Sequence, residues 1–303
     1  MSTELDVALD AVVVAVSSDE PRVLVRLPGE GLPAGPFDTV NDRTLEAGLR
    51  RWVTEQTQLE LGYAEQLYTF GDRDRDPRRT DGLRRLSIAY LALVRESAPP
   101  GPSAAGWFSW YRYLPWEDWR GGRPPLVDAA IVPAVEAWVA QTSGDARRLR
   151  ERRARRCVGP RRGAWSPDVV LERYELFWEI GLVAESRAPL ATTIGEPMPA
   201  DHRRILATAI GRIRGALRYR PMLFELLGPS FTLLQLQQTA EALAGVRLHK
   251  SNFRRLVAQA RLVEPTGDRE QAGPGRPALR YRFRPDVVAE RFMLGASITT
   301  PIP

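Results

Sequence analysis

The chain has 303 residues, of which 44% are hydrophobic and 26% are charged, a composition typical of globular proteins. Its length is enough for about two domains. No apolar run reaches the roughly 18 residues that a membrane span needs, and the acidic N-terminal segment lacks the basic head of a signal peptide, so we expect a cytoplasmic protein. One cysteine and two histidines exclude a disulfide framework and a metal site rich in cysteine or histidine.

The positive charge is concentrated in the last third of the chain. Residues 1–200 contain 26 basic and 29 acidic residues, whereas residues 201–303 contain 17 basic and 8 acidic residues, a net charge of +9. Lys250 is the only lysine, and every other basic residue counted is arginine. A strongly basic end on a nearly neutral chain predicts binding to a polyanion, and nucleic acid is the partner that we expect.

The first hundred residues show an α+β pattern. Two β-branched runs separated by the turn-forming cluster SSDEP predict a hairpin, and a helix and two further strands follow. The predicted elements are strands 7–16 and 22–27, a helix over 43–57 with N-cap candidates Asn41 and Asp42, and strands 63–70 and 84–95. This order predicts a mixed sheet with a packed helix.

The middle of the chain is first aromatic and then helical. Residues 107–122 contain four of the eight tryptophans, which either stack on an adenine or belong to a core or an interface. Helices are predicted over 126–141, 145–156 and 166–185. The second of them is almost entirely charged, so it is either a solvated face or a second anion-binding surface. Cys157, next to arginines that would lower its pKa, is either an activated thiol or an inert one.

A helix over 201–219 connects this middle part with the basic end. Its apolar stripe must pack either on the rest of the chain or on a partner copy across a dimer axis. His202, at its start, either orients a ligand or links domains, or else has a capping or packing role. The stripe consists of Ile205, Leu206, Ile210, Ile213 and Leu217, and we expect Arg203, Arg204, Arg212, Arg214 and Arg218 on the remaining surface.

The basic end has the pattern of a winged helix-turn-helix. A helix with the capping pair Thr232 and Gln235 ends at Gly245, and a second helix follows with Ser251 as its N-cap candidate. Phe253 and Leu256 are expected in the core, and a hairpin of alternating apolar and basic residues comes next. The expected DNA contacts are Lys250, Ser251, Asn252, Arg254 and Arg255 on the second helix, and Arg276, Arg280 and Arg282 on the hairpin.

Residues 51–59, RWVTEQTQL, resemble the last nine positions of the Nudix box, G-x5-E-x7-R-E-U-x-E-E-x-G-U, where U is a bulky aliphatic residue. The match is partial. Arg51, Val53, Glu55 and Leu59 agree with the box, whereas Trp52 and Gln56 replace two glutamates, Gln58 replaces the glycine and Arg43 falls on the first glutamate. The resemblance implies a Nudix fold, and the missing carboxylates imply a poor cage for divalent cations, so we expect no metal site and no hydrolase activity.

Roles for the helix residues nearby stay open. Glu55 is either a vestigial ligand or a surface acid paired with Arg51, and Arg50 and Arg51 either contact a ligand phosphate or are solvated.

A Nudix-like domain followed by a winged helix resembles the Nudix-related transcriptional regulators of NAD metabolism, the NrtR group, and within it the NadQ-type branch. The stretches that carry the resemblance include GPFDTVNDRTLEAGLRRWVTEQT, SWYRYLPWEDWRGG, DHRRILATAIGRIRG and FTLLQLQQTAEALAGVRLHKSNFRRLV. The resemblance implies a homodimeric repressor of NAD-synthesis genes that binds a double-stranded operator. It also implies an adenine nucleotide effector, NAD, ADP-ribose or ATP, and no required cofactor.

These observations predict four parts. They are a Nudix-like sensor over 1–124, a helical insertion over 125–197, the last Nudix helix and linker over 198–220, and the winged helix over 221–303. The candidate nucleotide-binding residues are Arg50, Arg51, Glu55 and His202. Two alternatives remain, an active Nudix-type nucleoside diphosphate hydrolase with a nucleic-acid-binding module, and an adaptor that binds RNA through the arginine-rich helix at 145–156.

Overall fold

The computed structural model describes residues 5–72, 84–96, 105–159, 166–217, 222–271 and 277–285. Its centre is a six-stranded mixed sheet around β1 (Leu5–Ser17), which forms the predicted hairpin with β2 (Glu20–Arg26), Val14 lying opposite Val23. The other strands are β3 (Ala34–Pro36), which pairs with β1, and β4 (Ala64–Phe70), β5 (Arg84–Leu93) and β6 (Ala105–Ser109). The strands follow the order β4-β5-β1-β2-β6, and β1 and β5 are parallel.

The strands predicted over 63–70 and 84–95 are confirmed as β4 and β5, whereas β3 and β6 were not predicted. Both missed strands are short and contain glycine, so neither shows the β-branched alternation on which the other predictions rested.

The central strand is buried on both faces. Val12 and Val14 belong to one hydrophobic cluster, and Leu9, Ala11 and Val13 belong to another. This is the reason for the nearly continuous apolar run in the sequence, since a strand covered on both sides needs no polar alternation. The second cluster also contains residues of helix α1 (Leu45–Thr57).

Helix α1 begins at a different residue from the two that were expected. Its N-cap is Thr44, whose side-chain oxygen accepts a hydrogen bond of 3.0 Å from the Ala47 N–H, so the choice of Asn41 or Asp42 was wrong. Asp42 instead forms an ion pair with Arg51 of the helix, with 2.9 Å between a guanidinium nitrogen and a carboxylate oxygen. Asp42, two positions before the N-cap, also has the chemistry of a capping residue, and only the chain path shows which side chain reaches the amide.

The predicted middle helices are present, with shifted ends. They follow the short helix α2 (Trp110–Tyr113) and are α3 (Val132–Ala140), which continues a π-helical turn over Val127–Ile131, α4 (Gly144–Val158) and α5 (Val170–Glu179). The helix predicted over 201–219 is α6 (His202–Leu217). Helix α5 ends before the predicted residue 185 because the chain turns at Gly181, where φ is +83°. No helix in the described ranges is both long enough and apolar enough to cross a bilayer.

The stripe of α6 packs inside the same chain. Ile205, Leu206, Ile210 and Ile213 are fully buried in the larger hydrophobic cluster, which also contains residues of β1, β2 and α5. Of the two partners considered for this stripe, the body of the chain therefore provides the packing surface.

The expectation that all the arginines of α6 lie on its surface was wrong for two of them. Arg203 is 0% exposed and Arg214 is 4% exposed. Each forms an ion pair with a buried carboxylate, Glu185 for Arg203 and Glu117 for Arg214. Pairing of this kind is what allows a guanidinium to lie in a core. Arg218 falls outside the described residues.

The C-terminal part contains the predicted winged helix-turn-helix. Helix α7 (Leu233–Ala244) has the capping box between Thr232 and Gln235 and ends at Gly245 with a φ of +73°, as expected. Helix α8 (Lys250–Ala260) follows. The remaining elements are β7 (Phe231–Thr232), β8 (Val263–Glu270) and β9 (Ala278–Phe283), which form an antiparallel sheet in the order β7-β9-β8.

Candidate functional site

Helix α8 presents a polar, basic face to solvent. Phe253 and Val257 are buried in the core, while Lys250, Arg254 and Arg255 are exposed. Arg254 and Arg255 lie away from the face that Phe253 and Val257 bury, while Lys250 is exposed as the first residue of the helix. The expected core position of Phe253 is confirmed, and Leu256 is half-buried.

The start of α8 differs from the predicted start. The N-cap is His249, and Ser251 lies within the first turn, where its hydroxyl is 2.9 Å from His249 Nδ1. Ser251 was the expected N-cap because serine is the stronger capping residue, and that expectation was wrong. Arg255 donates hydrogen bonds to Asn252 (2.7 Å) and to Gln259 (3.1 Å), so these three side chains form a connected polar surface along the helix.

A buried carboxylate holds the turn between the two helices. Glu241, only 4% exposed, accepts hydrogen bonds from the Leu248 N–H (3.0 Å), the Gln237 amide (2.8 Å) and Arg247 (2.8 Å). Burial opposes ionisation of Glu241, but these hydrogen bonds outweigh it and keep the pKa of Glu241 below its ordinary value. Glu241 thus fixes the direction in which α8 leaves the turn, and no motif in the sequence pointed to it.

The wing places its arginines in different surroundings. Arg280 donates to the Ser230 hydroxyl (2.9 Å), the Ser230 carbonyl (2.7 Å) and Glu270 (2.8 Å), so most of its hydrogen-bonding capacity is used inside the domain. Arg282 is more exposed and pairs with Glu264 at 2.7 Å. Arg276 lies outside the described residues.

The candidate nucleotide-binding residues of the Nudix-like segment lie on helix α1. Glu55 is half exposed, and one of its carboxylate oxygens lies 3.6 Å from an Arg51 nitrogen. Of the two roles expected for Glu55, this contact corresponds to the surface ion pair with Arg51. Arg51 also donates two hydrogen bonds to Asp42, which lower the pKa of Asp42 and raise that of Arg51. Arg50 pairs with Glu46 at 2.7 Å and donates to the carbonyls of Leu61 and Gly62.

The two residues that replace box glutamates hold strand β3 on the helix. The Gln56 amide group donates to the Ala34 carbonyl (2.7 Å) and accepts from the Ala34 N–H (3.1 Å), and the Trp52 indole donates to the Pro36 carbonyl (2.8 Å). The indole lies so close to Gly35 that a methyl group there would be 2.1 Å from the ring. Where acidic ligands would be needed, the helix therefore has neutral side chains engaged with backbone.

The chain still turns at the position where the Nudix box has its glycine. Gln58 ends α1 in the left-handed conformation with a φ of +57°. Within the described residues, no group of three or more His, Cys, Asp or Glu side chains has the arrangement of a metal site.

His202 joins the N-terminus of α6 to the central sheet. Its Nδ1 accepts a hydrogen bond of 2.9 Å from the Leu32 N–H, so in the neutral ring the proton is on Nε2, which lies 3.3 Å from the buried Asp10 carboxylate. The side chain is 12% exposed. These two contacts place the His202 side chain between α6 and the central sheet.

The aromatic stretch belongs mainly to the core. Trp110 and Trp116 are fully buried, and the Trp116 ring meets Phe177 edge to face with centroids 5.1 Å apart. These two rings are therefore covered by protein on both faces, whereas Trp107 and Trp119 are half-buried.

Four of the seven arginines of helix α4 form ion pairs with nearby acids, namely Arg147 with Glu151, Arg148 with Asp145, Arg153 with Glu179 and Arg156 with Glu172. Such pairing favours a solvated face over an anion-binding surface. The expected lowering of the Cys157 pKa was wrong, because burial of the thiol raises it.

Comparison with known proteins supports this architecture. Residues 223–283 match the family model of the NrtR DNA-binding winged helix domain. The chain is 39% identical over 83 residues to the ADPR responsive transcriptional repressor NtrR of Acinetobacter baylyi, a match that covers 27% of this chain and 33% of that protein. The chain therefore spans about a third of the length of that curated relative.

Two solved structures share the fold over nearly the whole chain. The first is Shewanella oneidensis NrtR complexed with a 27mer DNA, with a TM-score of 0.58 and 22% identity over 96% of this chain and 99% of that one. The second is a MutT/nudix family protein from Enterococcus faecalis, with a TM-score of 0.54 and 17% identity over 94% of this chain and 88% of that one. Residues 223–283 are thus an NrtR-type winged helix domain, and the chain as a whole has the Nudix-related, NrtR-like fold of a Nudix domain joined to a winged helix.

Proposed function

We propose that this protein is a transcriptional repressor of NAD-synthesis genes, which binds DNA through α8 and the wing and senses an adenine nucleotide through its Nudix-like domain. The observation that carries the proposal is the exposure of Lys250, Arg254 and Arg255 on α8, in a domain that matches the NrtR winged helix model. In this motif the N-terminal residues of the second helix reach the base edges of the major groove. The relative in Acinetobacter baylyi is named as a repressor.

The protein would act as a homodimer on a palindromic site. A symmetric dimer presents two copies of α8 to successive major grooves about 34 Å apart, and the operator then mirrors the two-fold axis. Lys250, Ser251, Asn252, Arg254 and Arg255 are proposed for the major groove. Arg276 and Arg282 are proposed for phosphates, while Arg280 is proposed to hold the wing.

We expect that Arg254→Ala weakens binding to the preferred site by about 1–3 kcal/mol, because a guanidinium that reads a guanine loses both hydrogen bonds. The site is first selected with the wild-type protein from a random duplex library, and affinities are then measured by fluorescence anisotropy at moderate salt. Arg148→Ala on α4 removes the same charge at a side chain that is 76% exposed, and it controls for net charge. Selection of no sequence by the wild type contradicts the proposed function, and equal losses on the selected and random duplexes assign Arg254 to a phosphate.

The effector is proposed to be an adenine nucleotide, and ADP-ribose is the first probe because the relative is named as ADPR responsive. A ligand changes operator affinity only if it favours one arrangement of the DNA-binding helices over another. We expect ADP-ribose, NAD or ATP to change the operator dissociation constant by roughly 5–150-fold, and operator DNA to change the nucleotide affinity by the same factor. A nucleotide that binds in calorimetry yet leaves operator affinity constant over a full titration rules out the sensor.

Loss of hydrolase activity is the third part of the proposal. Glu55 is half exposed and paired with Arg51, and Gln56 and Trp52 bind the backbone of β3, so the side chains do not fit a divalent cation that needs several carboxylate oxygens. We expect no turnover of ADP-ribose above the buffer rate with Mg²⁺ or Mn²⁺. Turnover that disappears in Glu55→Gln establishes the alternative, a Nudix-type hydrolase with a nucleic-acid-binding module.

A further inference from the structure

One buried carboxylate connects three distant segments of the chain. Glu117 is 1% exposed, and its two oxygens accept hydrogen bonds from Arg173 of α5 and Arg214 of α6 respectively. Arg214 also donates to the Glu117 carbonyl at 3.0 Å. Arg173 donates to the carbonyls of Cys157 and Ser166, each at 2.6 Å. The cluster therefore contains two cations and one anion in a part of the molecule that water does not reach.

The same cluster receives the C-terminal end of α7, the first helix of the DNA-binding motif. Arg214 donates to the Leu243 carbonyl (3.1 Å), the Tyr111 hydroxyl donates to the Ala242 carbonyl (2.7 Å), and the Trp119 N–H donates to the Gly245 carbonyl (2.7 Å). The last carbonyls of a helix have no partner within the helix, and a cation beside them is favoured by the helix dipole. The body of the chain thus supplies the cap of α7.

The atoms packed around Gly245 leave no space for a side chain at this position. A methyl group at this position would lie 2.4 Å from the Glu117 carbonyl oxygen and 2.6 Å from Arg214 Nη2. Gly245 is also the residue at which the chain turns from α7 toward α8. The turn that gives α8 its direction relative to the sheet therefore packs directly against Glu117 and Arg214.

We propose that Glu117, Arg173 and Arg214 are positioning residues for DNA binding, which fix the angle of the α7–α8 motif on the Nudix-like body. Through Arg173, the inserted helices contribute to this angle although they do not belong to the winged helix. The proposal rests on the proposed function for its effect on DNA, while the positioning itself concerns the chain alone. Removing the carboxylate leaves two buried arginines without their anion. The close packing of Glu117 and Arg214 around Gly245 is then no longer stabilised.

The decisive variant is Glu117→Gln, and the chain offers a matched control in Glu185→Gln. Glu185 is also a buried carboxylate paired with an arginine of α6, Arg203, but that pair lies at the other end of the helix and bonds to no residue of α7. Both variants remove one buried negative charge, so they separate positioning from general destabilisation. Tyr111→Phe removes the hydrogen bond to the Ala242 carbonyl and keeps the Glu117 carboxylate and both arginines, so it serves as a milder variant if Glu117→Gln does not fold.

The first measurement needs no DNA. Spin labels are attached at Ala258→Cys on α8 and Glu60→Cys on the body, both at exposed positions, while the buried Cys157 stays unlabelled. Distances are measured by double electron–electron resonance in the full chain diluted with unlabelled protein, so that only pairs within one chain contribute. We expect a broadened or shifted distribution for Glu117→Gln, a smaller change for Tyr111→Phe, and the wild-type distribution for Glu185→Gln.

The second measurement is the affinity for the duplex selected by the wild type. We expect a loss of about tenfold for Glu117→Gln, with binding to random duplex retained, and a change below about threefold for Glu185→Gln. Wild-type label distances in both Glu117→Gln and Tyr111→Phe overturn the proposal. Absence of any sequence preference in the wild type overturns the proposed function instead, and the label distances then decide the positioning role by themselves.

Discussion

Ile210→Asp is expected to unfold the protein at temperatures where the wild type is stable. Ile210 is fully buried in the middle of α6, inside the cluster formed with the central sheet and α5. The substitution loses about 2–3 kcal/mol of hydrophobic burial and places a carboxyl group where nothing solvates it, which adds several kcal/mol. The sum is comparable to the total stability of a typical domain, about 5–15 kcal/mol.

The measurement is urea unfolding followed by tryptophan fluorescence, since the chain has eight tryptophans and at least two of them are fully buried. Arg212→Ala, two residues further along α6, is the control. Arg212 is half exposed and pairs with Glu65, so its removal is expected to cost less than about 1 kcal/mol. If Ile210→Asp instead gives a folded monomer of nearly unchanged stability, the stripe of α6 faces a partner subunit and the packing described above is wrong.

Arg203→Ala is expected to lower the free energy of unfolding by about 3–5 kcal/mol, because the Glu185 carboxylate then remains buried without its cation. Arg203 is 0% exposed and also donates to the carbonyls of Tyr113 (3.2 Å) and Ile194 (3.0 Å), which lose their donor as well. Chemical denaturation at pH 7 measures the effect.

A double variant separates the pair from the cavity. Arg203→Met combined with Glu185→Leu removes both charges and keeps most of the volume, so we expect it to recover more than half of the loss of Arg203→Ala. A double variant as unstable as the single one would show that the bonds to the backbone carbonyls, and not the ion pair, hold this end of α6.

Much of the fold could be predicted because its signals are local. The hairpin of β1 and β2, helix α1 and the order α7, turn, α8, wing follow from apolar spacing over ten to fifteen residues and from capping residues at helix ends. The candidate DNA contacts on α8 followed in the same way, since Phe253 and Val257 select the buried face and leave Arg254 and Arg255 outside.

Capping was the least reliable local signal. Thr44 is the N-cap where Asn41 or Asp42 was expected, and His249 is the N-cap where Ser251 was expected. Several neighbouring side chains have the right chemistry, and the direction of the chain selects among them. The role of Asp42 became clear only from its contact with Arg51, nine residues further on.

The sequence by itself determined that this chain has a neutral α+β part and a basic winged helix, and that its Nudix-like helix lacks most of the expected carboxylates. Only the tertiary structure decided which arginines are surface charges. Arg203 and Arg214 lie at the edge of the apolar stripe of α6, and they are buried because Glu185 and Glu117 reach them from segments 18 and 97 residues away. A charged side chain is buried in a core only where an oppositely charged partner lies beside it. When that partner belongs to a distant segment, the residue pattern along one helix does not identify it.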